Sequence, residues 1–520
     1  MSAGGGAADA DEKTRGLLRA ALARGRAGDA PRLMREHCLA PERRPGGIVV
    51  QRLMLAPEAH EGDEHAVPVV LVHSEARGDG ARPLLCFMHG TGGDSEGLLE
   101  THLVPFAKRG YCALGVDAPC HGRRLDPAPP PPAQAKTRET NARAAKRSSA
   151  PSPSSSRTPV LDADDLAASM TSPPSGHASL SRSRSETFER YGAALVAAWR
   201  GGSEPPGRSA AERSAAERRA AERRAASETI RHSGHSGSAR PFLFDGAWDC
   251  LRAVRFVTGR FSDGRFSDGR FSDGRTTDDD SETTDAALPT MGAAASKKRK
   301  KKNEPPLDLV DANVDETRVG VSGVSLGGMY AWLAAAAAPE TIAAAAPLIG
   351  AQDFGWALRN ERWRARVDSL PPALFEAAKR DERETLGDVS EYVTPELVER
   401  VYDAICPGLT TFLDGPRTFP LIAPRPMLIV NGELDPRNPL EGVRGLVAAT
   451  RRAYESKKKT KNFVAVAQRG TSHACTPQML ALADAWLDWR LRPAAALCDE
   501  NTAEAAVAEA LRDAETWLEL

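Results

Sequence analysis

The sequence predicts an α/β fold, with a mostly parallel central sheet and helices on both faces. Three observations predict it. Continuous apolar runs of strand length recur, as in RPLLCFMHG (82–90), YCALGVDAP (111–119) and RPMLIVNGELD (425–435). Segments with apolar residues at helical spacing lie between such runs, as in LEGVRGLVAATRRAYES (440–456). The runs end in Gly, Asp or Pro, residues that turn a chain. Strands apolar throughout, without alternation, are buried on both faces, and that is the pattern of a parallel sheet covered by helices.

The elements follow in order. GGIVVQRLMLA (46–56) and AVPVVLVHS (66–74) read as two strands around a polar turn, and 82–90 as a third. SEGLLETHLVPFAKRG (95–110) has helical spacing and a terminal Gly, and 111–119 is the fourth strand. ETFERYGAALVAAWRGG (186–202) and PFLFDGAWDCLRAVRFVTGR (241–260) resume helical spacing. TRVGVSGVSLGGMYAWLAAAA (317–337) is a strand, a sharp turn and a helix, and TIAAAAPLIGA (341–351) reads as a strand despite its alanines. Residues 352–415 hold aromatics and short helices. After the strand 425–435 and the helix 440–456 come a strand, KNFVAVAQRG (461–470), and a helix, TPQMLALADAWLDWRL (476–491), entered at a Thr-Pro pair.

Between these elements the composition changes. PAPPPPAQAK (127–136), SAAERSAAERRAAERRAA (209–226) and GRFSDGRFSDGRFSDGR (259–275) belong to low-complexity insertions at about 126–184, 203–240 and 261–306. Such stretches bury too little apolar surface to offset their ordering entropy and are expected to be disordered. Residues 1–45 read as an N-terminal extension with a short helix, 46–492 as the domain carrying the insertions, and 493–520 as a peripheral helix.

The 520 residues include 69 basic and 70 acidic ones, so the net charge of -1 gives no reason to expect nucleic acid or a membrane surface as partner. No stretch of 18 apolar residues marks a membrane span, and MSAGGGAADADEK lacks the basic and apolar regions of a secretory signal. The eight cysteines are scattered without zinc spacing and read as reduced thiols, so a cytoplasmic location is expected. KKRKKK (297–302) resembles a nuclear import signal, but it lies in low-complexity sequence beside an acidic run and reads equally as a solvated charge cluster.

Chemistry concentrates at three places. Gly323-Val324-Ser325-Leu326-Gly327 fits G-x-S-x-G, in which a serine stands on a strained strand-to-helix bend. The context selects Ser325 over Ser322, which falls inside the strand. A serine hydroxyl needs a base, and the base an orienting acid. Asp435, just past a buried strand, and His473, between the next strand and the last helix, follow in the order Ser, acid, His. Glu433 competes as the acid, and Asp435 before Pro436 is also an ordinary turn residue. HGTGG (89–93) follows the third strand, where backbone N–H groups can meet a developing oxyanion. Thr91 and Leu326 are the expected donors, with Gly92 as alternate. HGTGG lacks the Lys-Ser/Thr of a phosphate-binding loop.

Taken together, HGTGG, GVDAPCHGRR, GVSLGG, NGELDP and SHACTPQM resemble the α/β-hydrolase superfamily, in particular its prolyl oligopeptidase-like and dienelactone hydrolase-like serine hydrolases. The resemblance covers about 47–125, 186–258 and 308–492. It implies the α/β-hydrolase fold, Ser325 as nucleophile, Asp435 as acid, His473 as base, and no metal or organic cofactor. Carboxylesterase activity on small esters is the first reading. A serine peptidase acting on short peptides is the second, and a non-catalytic receptor or scaffold on this fold is the third. Phe354, Trp356 and Trp363 fall where this fold often carries a lid and are candidates for a substrate pocket, or for plain packing. His89 and His121, each in an HG pair, read as structural hydrogen-bonding residues. Cys475 reads as a small buried packing residue.

Overall fold

Apolar runs become strands here because helices cover both of their faces. The computed structural model describes residues 3–24, 26, 28, 31–58, 61–75, 80–125, 183–202, 242–259, 312–386, 392–492 and 500–520. Apart from 183–184, the three low-complexity insertions lie outside the described residues, as does KKRKKK. The strands are β1 (Glu42–Arg44), β2 (Ile48–Leu55), β3 (Val67–Ser74), β4 (Arg82–Met88), β5 (Cys112–Val116), β6 (Val314–Val324), β7 (Ala344–Leu348), β8 (Met427–Gly432), β9 (Phe463–Gln468) and β10 (Trp517–Glu519).

Among the described residues they form one sheet, in the order β1-β2-β3-β5-β4-β6-β7-β8-β9-β10. β4 to β9 are parallel, whereas β2 and β3 pair antiparallel and β3 lies antiparallel to β5. The antiparallel second strand of that block and the crossing of β4 and β5 are diagnostic. This is the α/β-hydrolase fold. The chain leaves β4 toward one edge of the sheet and β6 toward the other, so a crevice opens between their carboxyl ends, where ligands of open α/β sheets bind.

One helical layer contains Leu326–Ala337 and Phe242–Thr258, with Arg184–Gly202 and the N-terminal helix Ala3–Leu22 beside them. The other contains Pro477–Leu491 and Glu500–Leu511, together with the turns 99–108. The alanines of β7 are fully buried between the layers, where small side chains let helix and sheet approach, and packing overrides their helical preference. The edge strands β1 and β10 are three residues each, too short for an alternation to register. β10 falls in the tail read from sequence as helix: Glu500–Leu511 is helical, but Trp517–Glu519 turns back and pairs with β9. No helix among the described residues is long and apolar enough to cross a membrane.

Trp332 is fully buried in the helix Leu326–Ala337 and stacks on Phe419 at 4.7 Å between ring centroids. Trp332→Ala is expected to cost about 3–5 kcal/mol, read as a lower denaturation midpoint with an unchanged slope.

Candidate active site

β6 ends at Val324, and the helix starts at Leu326, so one residue makes the whole turn. That residue is Ser325, at φ 54° and ψ −110°. The glycines around it are required by space. A Cβ at Gly323 would stand 2.6 Å from the Met88 carbonyl oxygen, and one at Gly327 only 2.2 Å from the same atom. The end of β4, the parallel neighbour of β6, therefore lies directly against the turn. The Ser325 N–H donates to the Leu348 carbonyl at 2.9 Å and ties the turn to the end of β7. Ser322 is fully buried, and its Oγ donates to the Ala346 carbonyl at 2.7 Å, so it faces the sheet interior.

The structure brings Ser325, His473 and Asp435 together. Ser325 Oγ lies 2.9 Å from His473 Nε2, and His473 Nδ1 lies 2.8 Å from Asp435 Oδ2. A carboxylate only accepts, so Nδ1 carries the proton and Nε2 is left to accept from the serine hydroxyl. Asp435 accepts further bonds from the N–H groups of Arg437 (2.8 Å) and Asn438 (3.0 Å), and from Asn438 Nδ2 at 2.9 Å. It thus both forms the turn and meets the His473 ring. Burial alone would raise its pKa, but His473 and the donors from Asn438 outweigh that and hold it below the ordinary carboxylate value. Glu433 accepts instead from the Gly470 N–H at 2.8 Å.

His473 sits on a loop pinned across the end of β8. A Cβ at Gly432 would stand 2.2 Å from the Ser472 carbonyl, and the Leu434 N–H donates to the Thr471 carbonyl at 2.8 Å. His473 is 1% exposed. Burial lowers its pKa; Asp435 opposes that, while the positive charges of Arg437 and Arg366 add to it, and the net direction is down.

The HGTGG loop lies against the serine: a Cβ at Gly90 would stand 3.7 Å from Ser325 Cβ. The Gly92 N–H donates to His121 Nε2 at 3.0 Å and is taken, whereas Thr91 N–H has no acceptor among the described residues. Leu326 is the first residue of its helix, where an N–H has no intrahelical acceptor. His121 Nδ1 is 2.7 Å from the Pro119 carbonyl. His89 Nδ1 bonds the Gly90 carbonyl at 2.8 Å, and its Nε2 accepts from the Ala118 N–H at 3.0 Å. Both imidazoles therefore spend their ring nitrogens joining the loop at 89–93 to the one at 117–121. Burial pushes His121 down to about 3, so it stays neutral in this task. Phe188, in the helix that resumes after the first insertion, covers the loop 3.0 Å from where a Cβ of Gly92 would be.

Phe354 and Trp363 line a small cavity next to the acid loop, along with Arg366 and Tyr402. Trp356 is turned away from it, and its ring packs on Gly442. Cys475 is buried, and burial pushes its thiol up to about 12. Among the described residues no group of three or more His, Cys, Asp or Glu stands close enough to hold a metal ion. Asn438 and Arg366 were not singled out from the sequence. The former carried a weak signal, three residues after the acid in DPRN; the latter carried none.

No family model and no curated protein matches the sequence. Solved structures do align with it. Acetyl xylan esterase 1 from Thermoanaerobacterium sp. JW/SL YS485 is 11% identical, with 92% of each chain covered and a TM-score of 0.41. An acetyl xylan esterase from Paenibacillus sp. R4 is 12% identical, covering 93% of this chain and 95% of that one, with a TM-score of 0.41. A glucuronoyl esterase from Solibacter usitatus is 10% identical, covering 93% and 92%, also with a TM-score of 0.41. Likeness at this level carries nothing about the chemistry of this chain.

The lowered pKa of His473 keeps the neutral, proton-accepting imidazole in place at more acidic pH than usual. NMR titration of the His473 ring is expected to give a midpoint below the unperturbed value of about 6.5. A midpoint at or above that value contradicts the described burial.

Proposed function

We propose that this chain is a serine hydrolase that cleaves small carboxylic esters through an acyl-enzyme. The observation that carries the reading is the unbroken line of hydrogen bonds from Ser325 Oγ through His473 to Asp435, at 2.9 and 2.8 Å. In the first step Ser325 Oγ bonds to the ester carbonyl carbon while its proton passes to His473 Nε2. Asp435 holds the imidazole in the required tautomer and stabilises the imidazolium. The N–H groups of Thr91 and Leu326 stabilise the oxyanion.

As the tetrahedral intermediate collapses, the bond to the alcohol oxygen breaks and His473 returns its proton to that oxygen. Water then replaces the alcohol. His473 takes a proton from the water as its oxygen attacks the acyl carbon, and gives that proton back to Ser325 as the acid leaves. Each proton transfer happens at one atom, Nε2, so the geometry seen before substrate binds serves both halves of the reaction.

The test is hydrolysis of a panel of aryl and alkyl esters beside matched peptide amides. Ser325→Ala is expected to lower kcat by roughly 10⁴ or more, and Asp435→Asn by a comparable factor through the wrong tautomer. Ser322→Ala is expected to retain turnover. Cleavage of amides in preference to esters would assign a peptidase. Failure of folded wild type on every member would favour a non-catalytic binding protein.

A further inference from the structure

Arg366 is a buried cation on which Asp435 acts only at a distance, without an ion pair. It comes from the segment between β7 and β8, and no carboxylate among the described residues makes an ion pair with it. Its Nη2 donates to Asn438 Oδ1 at 2.6 Å and lies 3.5 Å from the Arg437 carbonyl. Its Nε is buried with no acceptor, and its guanidinium stands 5.7 Å from the centroid of the Phe354 ring. The Tyr402 hydroxyl is also buried without a hydrogen-bond partner among the described residues. Both side chains line the same cavity, with Phe354, Trp363, Gln352, Arg437 and Asp353 in its wall; one oxygen of Asp353 is taken by the Trp356 N–H at 2.7 Å.

This cavity is close to the chemistry. Gln352 follows β7, whose last carbonyl holds the Ser325 N–H, and Arg437 follows β8 and the acid. Asn438 accepts from Arg366, donates to Asp435, and its Nδ2 lies 3.4 Å from His473 Nδ1. A guanidinium remains charged in any protein environment, and a charge withdrawn from water is costly unless an opposite charge meets it. Asn438 and a carbonyl offer only dipoles. Two side chains whose buried donors lack acceptors, one of them charged, thus line a void beside the proposed catalytic centre. Its volume, about 20 Å³, admits one water-sized group. One oxygen of a terminal carboxylate fits that size, whereas a sugar ring does not.

We infer that Arg366 and Tyr402 form an anion-accepting subsite, and that the ester taken by the site carries a carboxylate within their reach. The inference rests on the serine hydrolase reading above. Its rival is that Arg366 only holds Asn438 in place behind Asp435.

Two matched pairs of esters separate these. On the acyl side, an aryl hexanoate is compared with the aryl half-ester of adipic acid, a terminal methyl against a terminal carboxylate. On the alcohol side, 4-acetoxybenzamide is compared with 4-acetoxybenzoate. Wild type is expected to favour the carboxylate member of one pair by roughly tenfold or more in kcat/KM, the scale of a charge-assisted hydrogen bond. Arg366→Gln is expected to abolish that preference. Tyr402→Phe, which removes one oxygen and keeps the ring, is expected to reduce it several-fold, and it carries the test if the arginine variant does not fold. No preference in either pair, or a preference that survives both variants, overturns the inference. So does an equal loss on both members of a pair in Arg366→Gln, because that is the signature of positioning through Asn438. If wild type hydrolyses none of the four esters, the hydrolase reading fails separately. The subsite is then read by titrating adipate against tryptophan fluorescence, since Trp363 lines the cavity. Saturable binding lost in Arg366→Gln supports the subsite, and absence of binding overturns it.

Discussion

The Met88 carbonyl oxygen lies where side-chain carbons of Gly323 and Gly327 would have to be, at 2.6 and 2.2 Å. That one close approach of β4 to the end of its parallel neighbour β6 organises the rest of the site. With no room on either side, the chain goes from strand to helix through a single residue, and Ser325 takes a positive φ that a non-glycine residue adopts only at a cost of roughly 1–3 kcal/mol. From this turn its hydroxyl meets His473 Nε2 at 2.9 Å. Because Met88 is the last residue of β4, the same approach brings the HGTGG loop to the serine. The proposed nucleophile and N–H donors are therefore set by one backbone contact.

The other half of the site depends on burial. His473 and Asp435 are 1% and 2% exposed, and their polar atoms are nearly all committed to one another, to Ser325 or to the turn that follows the acid. A carboxylate so enclosed is tolerable because four donors meet it. Comparable accounting holds the outer face together. Arg124 bonds the Asp117 carbonyl and, at 2.5 Å, Asp249; Arg26 bonds Asp245, also at 2.5 Å; Trp248 Nε1 bonds Glu58 at 3.0 Å. This buried ionic cluster ties the N-terminal segment and the loop after β5 to the helix Phe242–Thr258. That helix lies between two of the long insertions, yet it is held in register against the core.

Much of this was legible in the sequence, for physical reasons. The central strands showed as apolar runs because both of their faces are covered. Ser325 stood out from Ser322 because glycines flank a tight turn at fixed offsets, and Asp435 and His473 because they follow buried strands where loops converge. What stayed hidden depends on contacts between distant segments. Nothing local distinguishes Arg366 from its neighbours Arg362 and Arg364. Its meaning arises only when the segment after β7 folds against the turn after β8. Trp356 and Trp363 look alike in sequence, and only the packing of Gly442 against one of them separates their roles. That the Gly92 N–H is taken, by His121 29 residues further along the chain, could not be read locally. β10 escaped notice because a three-residue strand has no periodicity to read.

Ser325 is proposed as an activated nucleophile. Incubation of the full chain with a fluorophosphonate, followed by intact mass measurement and peptide mapping, tests it without knowledge of the substrate. The account predicts one stoichiometric adduct, on Ser325, whose formation slows as His473 becomes protonated. A folded protein that takes up no adduct, or takes it up on a different serine, would contradict it.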